Sequence, residues 1–363
     1  MDSFRVAEET VPMQIDIPIS IANSAEPGLL PWAHPRDQVS NRAPVDTSNA
    51  STGSRSSPCG RGPTIVVYHN LSATEHPLTR GLGVTTDPDV FRRHIKYFAK
   101  NFDLIGPSDL LGGRSPKKPL LITFDDVYRS VLDIAGPTLR EVGAASIWFL
   151  NPASIVEDAL PMDNLLAFAV GCAGGAELLA GLGLHHQAGR PVSSLISKDL
   201  PKLSNIAIGQ ISAAVAEHFG TTESELRRES ALFLNARDLC QLDAYGIEAG
   251  NHSMNHRFLR SLSDPDLQVE ISASRQLLEQ LVGHPVRYFA VPYGNELDAT
   301  DRALEVARSS GHLATFLVHA RCNDRRRVED VFYRIGPENV RPQFLPIVLD
   351  VLPRLRTVWN SLH

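Results

Sequence analysis

The sequence is poor in cysteine and has no closely spaced cysteine pair. Among its 363 residues the four cysteines, Cys59, Cys172, Cys240 and Cys322, lie far apart. This spacing excludes a cysteine zinc ribbon and indicates no disulfide framework, so we expect free thiols. The beginning of the chain also lacks the apolar core of a secretory signal, and together these two absences predict a cytoplasmic protein.

An excess of positive charge is lacking as well. The chain has 35 Lys and Arg against 41 Asp and Glu, which leaves a formal charge of −6. Proteins that bind nucleic acids normally carry a basic surface, so we expect no nucleic-acid partner. The hydrophobic fraction of 43% is that of an ordinary globular protein, and a wholly disordered or fibrous chain is thereby excluded.

Long apolar runs are absent, with one stretch to consider. The stretch at residues 165–184 is long enough to cross a bilayer, but it includes Glu177 and five glycines. A carboxylate in the middle of a bilayer costs roughly 2.5–3.5 kcal/mol. We therefore interpret this stretch as helical structure outside a membrane and expect no integral membrane span.

The chain divides into regions of different composition. Residues 1–62 have few aromatic residues, scattered prolines and a polar run at 47–57, which is typical of a flexible tail. Residues 63–340 form the predicted folded domain. Within it, the stretch from about 155 to 230 is rich in Ala, Leu and Gly and indicates several short inserted helices. Residues 341–363 are expected to form a C-terminal helix packed on the domain.

Apolar strands alternate with amphipathic helices in the predicted domain. This pattern indicates parallel βαβ units, and therefore an α/β barrel or a doubly wound sheet. One helix is predicted to begin at Pro88 with Asp87 as its N-cap. The predicted strands cover residues 64–68, 119–124, 146–150, 246–250, 286–291 and 313–318, and the later helices cover 128–142, 265–282 and 298–308.

Two motifs at predicted strand ends favour a metal site. Asp125 and Asp126 end the strand that includes Thr123, where the backbone can turn and direct both carboxylates into one cleft. His252 and His256 follow the strand at 246–250, at a spacing that places both imidazoles on one side of a helical turn. One aspartate and two histidines form a three-ligand site with open positions. The same set could hold iron in an oxygenase, although the order of ligands along the chain differs from that class.

A third motif, Pro292-Tyr293-Gly294, follows the predicted strand at 286–291. A turn of this kind leaves backbone N–H groups free near a strand end, where they could stabilise an oxyanion. By itself the motif indicates no more than a turn.

Thr123-Phe124-Asp125-Asp126, His252-Ser253-Met254-Asn255-His256 and Phe289-Ala290-Val291-Pro292-Tyr293-Gly294, in this order, resemble the motifs of polysaccharide deacetylases of carbohydrate esterase family 4. The resemblance covers about residues 64–337. It implies the fold of the NodB homology domain, a distorted (β/α) barrel. Relatives of this kind include chitooligosaccharide and poly-N-acetylglucosamine deacetylases.

The resemblance also implies the roles of individual residues. Asp125 would be the general base, and Asp126, His252 and His256 would bind a divalent metal, with zinc the expected ion. Tyr293 would offer its backbone N–H to the oxyanion.

For the general acid the resemblance leaves two alternatives. Many family members take it from a late Leu-His motif, which Leu317-Val318-His319 matches in part. Members that begin with a Tyr-His strand use the early histidine, and Tyr68-His69 fits that pattern, so we rank His69 above His319.

Two positions depart from the family pattern. Val127 stands where the family usually has glycine after the two aspartates, which would reshape access for the substrate. The arginine that many members place just before the Pro-Tyr-Gly turn is absent, because Ala290-Val291 occupies that stretch, so the orientation of Asp125 is not explained.

These observations predict a metal-dependent hydrolase that removes N-acetyl groups from an N-acetylglucosamine-type oligo- or polysaccharide and releases acetate. A first alternative is a deformylase or another amide hydrolase that acts on a small glycoside or metabolite, with the inserted helices capping the barrel. A second alternative is a carbohydrate-binding protein without catalysis. The expected partner is a carbohydrate substrate in each case.

Overall fold

The structure, a computed structural model, describes residues 62–362 apart from 112–115, 158, 187–189, 203–204 and 325–329. The flexible tail predicted for residues 1–62 lies outside the described residues, except for Gly62.

A parallel sheet forms the centre of the molecule. Among the described residues it has eight strands, seven of them in the order β1-β5-β6-β7-β8-β9-β10, and β4 pairs with the first two residues of β5. Two further short strands, β2 and β3, pair with each other. The strands are β1 (Thr64–Tyr68), β2 (Asn70–Leu71), β3 (Thr85–Thr86), β4 (Asp103–Leu104), β5 (Pro119–Asp125), β6 (Ser146–Leu150), β7 (Ile247–Asn251), β8 (Tyr288–Ala290), β9 (Ala314–Val318) and β10 (Val331–Arg334).

The last strand returns to the first and nearly closes the sheet. Ile335, directly after β10, forms a parallel bridge with Val66 of β1. The Ile335 N–H donates to the Ile65 carbonyl at 2.9 Å, and the Val67 N–H donates to the Ile335 carbonyl at 3.0 Å. The predicted distorted (β/α) barrel is therefore confirmed.

The barrel closes around side chains that alternate along its strands. Ile65 of β1 and Leu121 of β5 belong to one buried cluster, whereas their neighbours Val66 and Ile122 belong to another. Because successive side chains of a strand point to opposite faces, one set fills the barrel and the other packs under the helices. The first cluster also includes Ile147, Phe149, Tyr288, Ala290 and Phe316.

Helices surround the sheet. In α1 the Asp87 side chain accepts hydrogen bonds from the Asp89 and Val90 amides, as predicted for an N-cap. The helices are α1 (Pro88–Asn101), α2 (Pro107–Leu111), α3 (Gly136–Glu141), α4 (Pro152–Val156), α5 (Met162–Gly171), α6 (Gly175–Gly181), α7 (Val192–Asp199), α8 (Asn205–Phe219), α9 (Glu223–Ser230), α10 (Asp264–Leu267), α11 (Ser274–Val282), α12 (Asp301–Ser309) and α13 (Leu352–Leu362). Wider π-helical turns precede or join some of them at Val131–Ala135, Gln268–Ala273 and Ile347–Val351, and short 3₁₀ turns lie at Leu200–Lys202, Ala236–Gln241, Asp243–Tyr245, Leu259–Ser261 and Pro342–Phe344.

Six of these helices, α4 to α9, lie between β6 and β7, where the sequence predicts inserted helices over about 155–230. The insertion is attached to the barrel through α5. The Asn164 side chain donates to the Leu78 carbonyl at 2.7 Å and to the Tyr128 hydroxyl at 3.0 Å. None of the described helices is both long and apolar enough to cross a bilayer.

One expectation from the sequence is corrected here, and one strand is found that the sequence did not predict. The expectation of free thiols is wrong for Cys322, which is in a disulfide, whereas Cys172 and Cys240 are free. The strand β10 is not predicted, because Val331, Phe332 and Tyr333 are too short an apolar run to stand out before Arg334. Pairing with β9 and the bridge to β1 define it instead.

Candidate active site

The three motifs meet at the carboxyl ends of neighbouring strands. Asp125 is the last residue of β5, His252 follows β7, and Tyr293 lies three residues after β8. Their side chains line one cavity of about 590 Å³, together with Asp126 and His256. Parallel strands bring their carboxyl ends to the same edge of a barrel, which explains why residues so distant in sequence share a cavity.

Asp126 occupies an unusual backbone conformation that separates the two carboxylates. Its φ is 66°, a left-handed value that is uncommon outside glycine, and the Trp148 indole donates to its carbonyl at 2.6 Å. The turn directs the Asp126 side chain toward the histidines while Asp125 stays buried at the strand end. The next residue, Val127, lies in the buried core and does not line the cavity, so the predicted effect on substrate access is not seen.

Asp126, His252 and His256 offer ligand atoms to a common point. The Asp126 Oδ1 lies 3.8 Å from the His252 Nε2 and 3.7 Å from the His256 Nε2. The three ligand atoms all lie within 4.8 Å of one another. A carboxylate and two imidazoles are ligands that suit zinc and neighbouring transition metals.

The other ring nitrogen of each histidine already has an acceptor. The His252 Nδ1 lies 2.9 Å from the Ala290 carbonyl, and the His256 Nδ1 lies 3.3 Å from the Asp163 carboxylate. Since these oxygens only accept hydrogen bonds, the proton belongs on Nδ1 and the lone pair on Nε2. Metal-binding histidines are held in this way, so the residues present fit a metal ion.

A loop brings the two histidines together. The predicted helical turn is absent from residues 252–256, and Ser253 and His256 have φ values of 67° and 55°. Buried side chains support the loop: Asn151 donates to the His252 carbonyl at 2.6 Å, and Glu270 accepts from the Asn255 amide at 2.9 Å. The two imidazoles do lie close together, with ring centres 4.8 Å apart, but a loop and not a helical turn brings them there, so the helical explanation of the spacing is wrong.

Electrostatics favour a neutral His252. Burial lowers the pKa of His252 to about 4, although the nearby carboxylates Asp125 and Asp126 act in the opposite direction. An imidazole must be neutral to bind a metal. The environment therefore keeps this side chain in the form that a ligand needs.

Arg334 orients Asp125. Its Nη1 donates to Asp125 Oδ1 at 2.6 Å and its Nη2 donates to Oδ2 at 2.8 Å, both within the buried interior. The guanidinium also stacks over the Phe149 ring, 5.0 Å from its centre. Burial would raise the pKa of the Asp125 carboxyl, but the positive charge of Arg334 and its hydrogen bonds lower it to about 2. The arginine that the sequence lacks before the Pro-Tyr-Gly turn is thus supplied from β10.

His69, directly after β1, lines the same cavity and is paired with Glu338. Its Nδ1 lies 2.6 Å from the Glu338 Oε1, and its Nε2 lies 4.0 Å from the Asp125 Oδ2. Burial would lower the pKa of His69. The hydrogen bond to Glu338 and the negative charges of Glu338, Asp126 and Asp125 outweigh burial and raise the pKa to about 9. His69 is therefore held in its protonated form at neutral pH.

His319 lies outside this constellation. It follows β9 and is not among the residues that line the cavity. Its ring lies 6.3 Å from that of Tyr333, and burial lowers its pKa. The position and protonation of His69 suit a general acid better than those of His319.

Tyr293 occupies the turn after β8. Its φ is 60°, and the Gly294 amide closes the turn by donating to the Val291 carbonyl at 2.9 Å. Among the described residues no acceptor is found for the Tyr293 N–H. Its ring packs parallel to Phe258, with centres 3.7 Å apart.

Backbone strain is concentrated at this cavity. Among the described residues other than glycine, five have positive φ values, and four of them belong to the site: Asp126, Ser253, His256 and Tyr293. Such conformations cost on the order of 1–3 kcal/mol each and persist where the surrounding structure enforces them. Their clustering supports a functional role for the cavity.

Three residues of the site were not predicted from the sequence. None of the sequence motifs assigns a role to Arg334, Glu338 or Asp163. Each side chain acts on a site residue that is distant in sequence, so periodicity and local spacing carry no signal for it. The residues Ser193 and Ile196 of the insertion also line the cavity.

One family model and several solved structures are similar to this chain. A family model described as polysaccharide deacetylase matches residues 212–314, which include both histidines and the Tyr293 turn. The deacetylase PplD of Streptococcus pyogenes, in complex with acetate, has a TM-score of 0.52 at 15% identity. That alignment covers 79% of this chain and 97% of PplD.

Two further solved structures have the same fold. A polysaccharide deacetylase from Bacillus cereus has a TM-score of 0.51 at 11% identity, with 79% of this chain and 69% of that chain covered. IcaB from Ammonifex degensii has a TM-score of 0.50 at 16% identity, with 81% and 98% covered. The family match and the shared fold confirm the resemblance of this chain to the NodB-type polysaccharide deacetylases.

Proposed function

We propose that this chain is a metal-dependent hydrolase that removes N-acetyl groups from an N-acetylglucosamine-type oligo- or polysaccharide and releases acetate. The observation that carries the proposal is the composition of one cavity. The ligand group formed by Asp126, His252 and His256 lies there beside a paired carboxylate, Asp125, and a paired imidazole, His69. This combination supplies every group that hydrolysis of an amide requires.

Asp126, His252 and His256 would hold a divalent ion, and zinc is the expected one for this ligand set. When bound, such an ion polarises the amide carbonyl and lowers the pKa of a water molecule.

Proton transfer is assigned to two side chains. Asp125, kept ionised by Arg334, accepts the proton of the attacking water, and Arg334 prevents the carboxylate from rotating away. His69, kept protonated by Glu338, donates its proton to the amine nitrogen as the carbon–nitrogen bond breaks. The backbone N–H of Tyr293 hydrogen-bonds to the oxygen that gains charge.

The direct test is release of acetate from N-acetylated chitooligosaccharides in the presence of a divalent metal. We expect release by the wild type, a loss of about 10²–10⁴-fold in rate for Asp125→Asn, and loss of bound metal for Asp126→Ala. The control is His319→Ala, which changes a histidine outside the cavity and keeps its activity. Absence of acetate from every N-acetylated sugar would overturn the substrate assignment, and full metal content in Asp126→Ala would overturn the ligand assignment.

A second candidate is an amide hydrolase, for example a deformylase, that acts on a small glycoside or metabolite. The observation that favours it is the contact between the insertion and a loop of the barrel. The Ser193 N–H of α7 donates to the Gly81 carbonyl at 3.2 Å, and residues of both segments line the cavity. Hydrolysis of monosaccharide glycosides but not of longer oligomers, or release of formate from an N-formyl glycoside, would support this candidate.

The third candidate, carbohydrate binding without catalysis, predicts binding without turnover in the presence of metal. The pairing of both proton-transfer residues weighs against it.

The cytoplasmic location stays a prediction, and the disulfide at Cys322 weighs against it, because cytosolic thiols are kept reduced.

A further inference from the structure

The helical insertion contributes a carboxylate to the candidate active site. Asp163, in the first turn of α5, contacts two site residues with its two oxygens. Its Oδ1 accepts a hydrogen bond from the Tyr293 hydroxyl at 2.9 Å, and its Oδ2 lies 3.3 Å from the His256 Nδ1. In the proposed reaction His256 uses its Nε2 and Tyr293 uses its backbone N–H. Asp163 contacts other atoms of these two residues, the His256 Nδ1 and the Tyr293 hydroxyl.

The position of Asp163 is held firmly. The next residue, Asn164, is buried and donates to the Leu78 carbonyl and to the Tyr128 hydroxyl, which joins α5 to the barrel. Leu165 is buried one residue further on. The first turn of a helix also favours a negative charge, because its N–H groups point toward that end. Asp163 is therefore a fixed acceptor.

His256 needs such an acceptor more than His252 does. The carbonyl that fixes His252 belongs to the strand β8, whereas His256 lies in a loop with a φ of 55°. With its Nδ1 proton directed at Asp163, the His256 ring presents Nε2 to Asp126, 3.7 Å away. A carboxylate partner also increases the basicity of the imidazole and therefore its strength as a ligand.

Tyr293 is held by the same carboxylate. Its ring centre lies 4.5 Å from that of His256, and the ring stacks on Phe258 with centres 3.7 Å apart. The hydrogen bond from the Tyr293 hydroxyl to Asp163 restricts rotation of the Tyr293 side chain. One residue of the insertion thus joins a ligand from the loop after β7 to the turn after β8.

We infer that Asp163 is a positioning residue for the metal site, and that the insertion is part of the active centre through it. The inference rests on the proposed function, because it assumes that His256 binds a metal. It predicts that the affinity for metal depends on a residue that does not itself touch the ion.

The test measures metal binding without any substrate. We propose to determine the Kd for Zn²⁺ by competition with a chelator, and the visible spectrum of the Co²⁺-substituted protein, for the wild type and for Asp163→Ala. We expect Asp163→Ala to weaken Zn²⁺ binding by about 10–100-fold and to alter the Co²⁺ spectrum. Asp163→Asn, which keeps the shape of the side chain but not its charge, should weaken binding less.

The matched control is Asp199→Asn, which removes a carboxylate of the same insertion that pairs with Lys202 at 3.0 Å, outside the cavity. It should keep the wild-type affinity and spectrum. Because a general loss of folding would affect every property, the melting temperature of each metal-free variant is compared as well. If Asp163→Ala does not fold, the Zn²⁺ affinity and the Co²⁺ spectrum of Asp163→Asn test the inference instead.

The outcomes separate the inference from the proposed function. Wild-type affinity and spectrum in both Asp163 variants would overturn the inference and leave the proposed function intact. A wild-type protein that binds no metal would overturn both. Weakened metal binding in the Asp163 variants supports the inference even if no acetylated sugar is a substrate.

Discussion

Arg334 holds Asp125 with both terminal nitrogens of its guanidinium, at 2.6 and 2.8 Å, where both side chains are buried. The pair joins the last strand of the barrel to β5, so the element that closes the sheet also orients the proposed general base. The guanidinium further donates to the Thr123 hydroxyl at 3.3 Å, and that hydroxyl donates to the Val66 carbonyl at 2.8 Å. Barrel closure and the chemistry of the site depend on the same contacts.

Removal of Arg334 should therefore reduce both stability and activity. Arg334→Met keeps much of the volume but removes both hydrogen bonds and the guanidinium charge from the buried Asp125 carboxylate, which costs about 3–5 kcal/mol. Urea unfolding measures the free energy, and acetate release measures the activity. Arg308→Met is the control, because Arg308 forms an exposed pair with Asp330 that is worth at most about 1 kcal/mol. Equal losses in the two variants would contradict the role assigned to Arg334.

The pairing of His69 with Glu338 predicts a specific dependence on pH. The folded protein holds the pKa of His69 at about 9, above the value of 6.5 for a free histidine. The folded state therefore binds more protons between these values, so the pair stabilises the protein fully below pH 6.5 and loses this effect as the pH rises toward 9. In the metal-free protein, the free energy of unfolding should decline over that window.

Glu338→Gln tests the cause of this dependence. Without the carboxylate the pKa of His69 falls, so the decline in stability should become smaller and the alkaline loss of activity should begin at lower pH. His319→Ala serves as the control and should keep the wild-type profile. An unchanged profile in Glu338→Gln would show that Glu338 does not set the protonation of His69.

The turn that carries Tyr293 should tolerate no side chain at Gly294. Gly294 has a φ of 66°, and a Cβ there would lie 2.5 Å from the Val318 side chain and 2.6 Å from the Val318 backbone nitrogen. Gly283, at the end of α11, has a similar φ of 76° but open space around it. Gly283→Ala should cost only the roughly 1–2 kcal/mol of a left-handed residue, whereas Gly294→Ala should cost more and also abolish acetate release.

Urea unfolding and acetate release of the two glycine variants decide this point. Similar stability and similar activity in both variants would mean that the Val318 contact does not constrain the turn.

The state of the cysteines can be read directly from their reactivity. In the protein that has not been reduced, a maleimide should label Cys240, which is exposed, but not Cys322, which is in a disulfide. After reduction under denaturing conditions Cys322 should be labelled too, as measured by mass spectrometry of peptides. Labelling of Cys322 before reduction would show that the disulfide is absent.

The sequence by itself determined the alternation of strands and helices, because buried parallel strands such as β5 and β6 are continuous apolar runs. It also placed the ligand candidates, since Asp126, His252 and His256 follow such strands and share the edge where the strand ends meet. The choice between a barrel and an open sheet could not be made from the residues alone. Only the resemblance to a known family favoured the barrel.

The tertiary structure decided everything that depends on contacts between distant residues. The strand β10 has an apolar run of only three residues and is defined by pairing with β9 and by the bridge from Ile335 to β1, which is why Arg334 could not be assigned in advance. Glu338 and Asp163 are unremarkable in sequence, and only the fold brings them against His69 and His256. Local periodicity reports which face of an element is buried, but the partner of a buried charge is set by packing between elements, which no local pattern records.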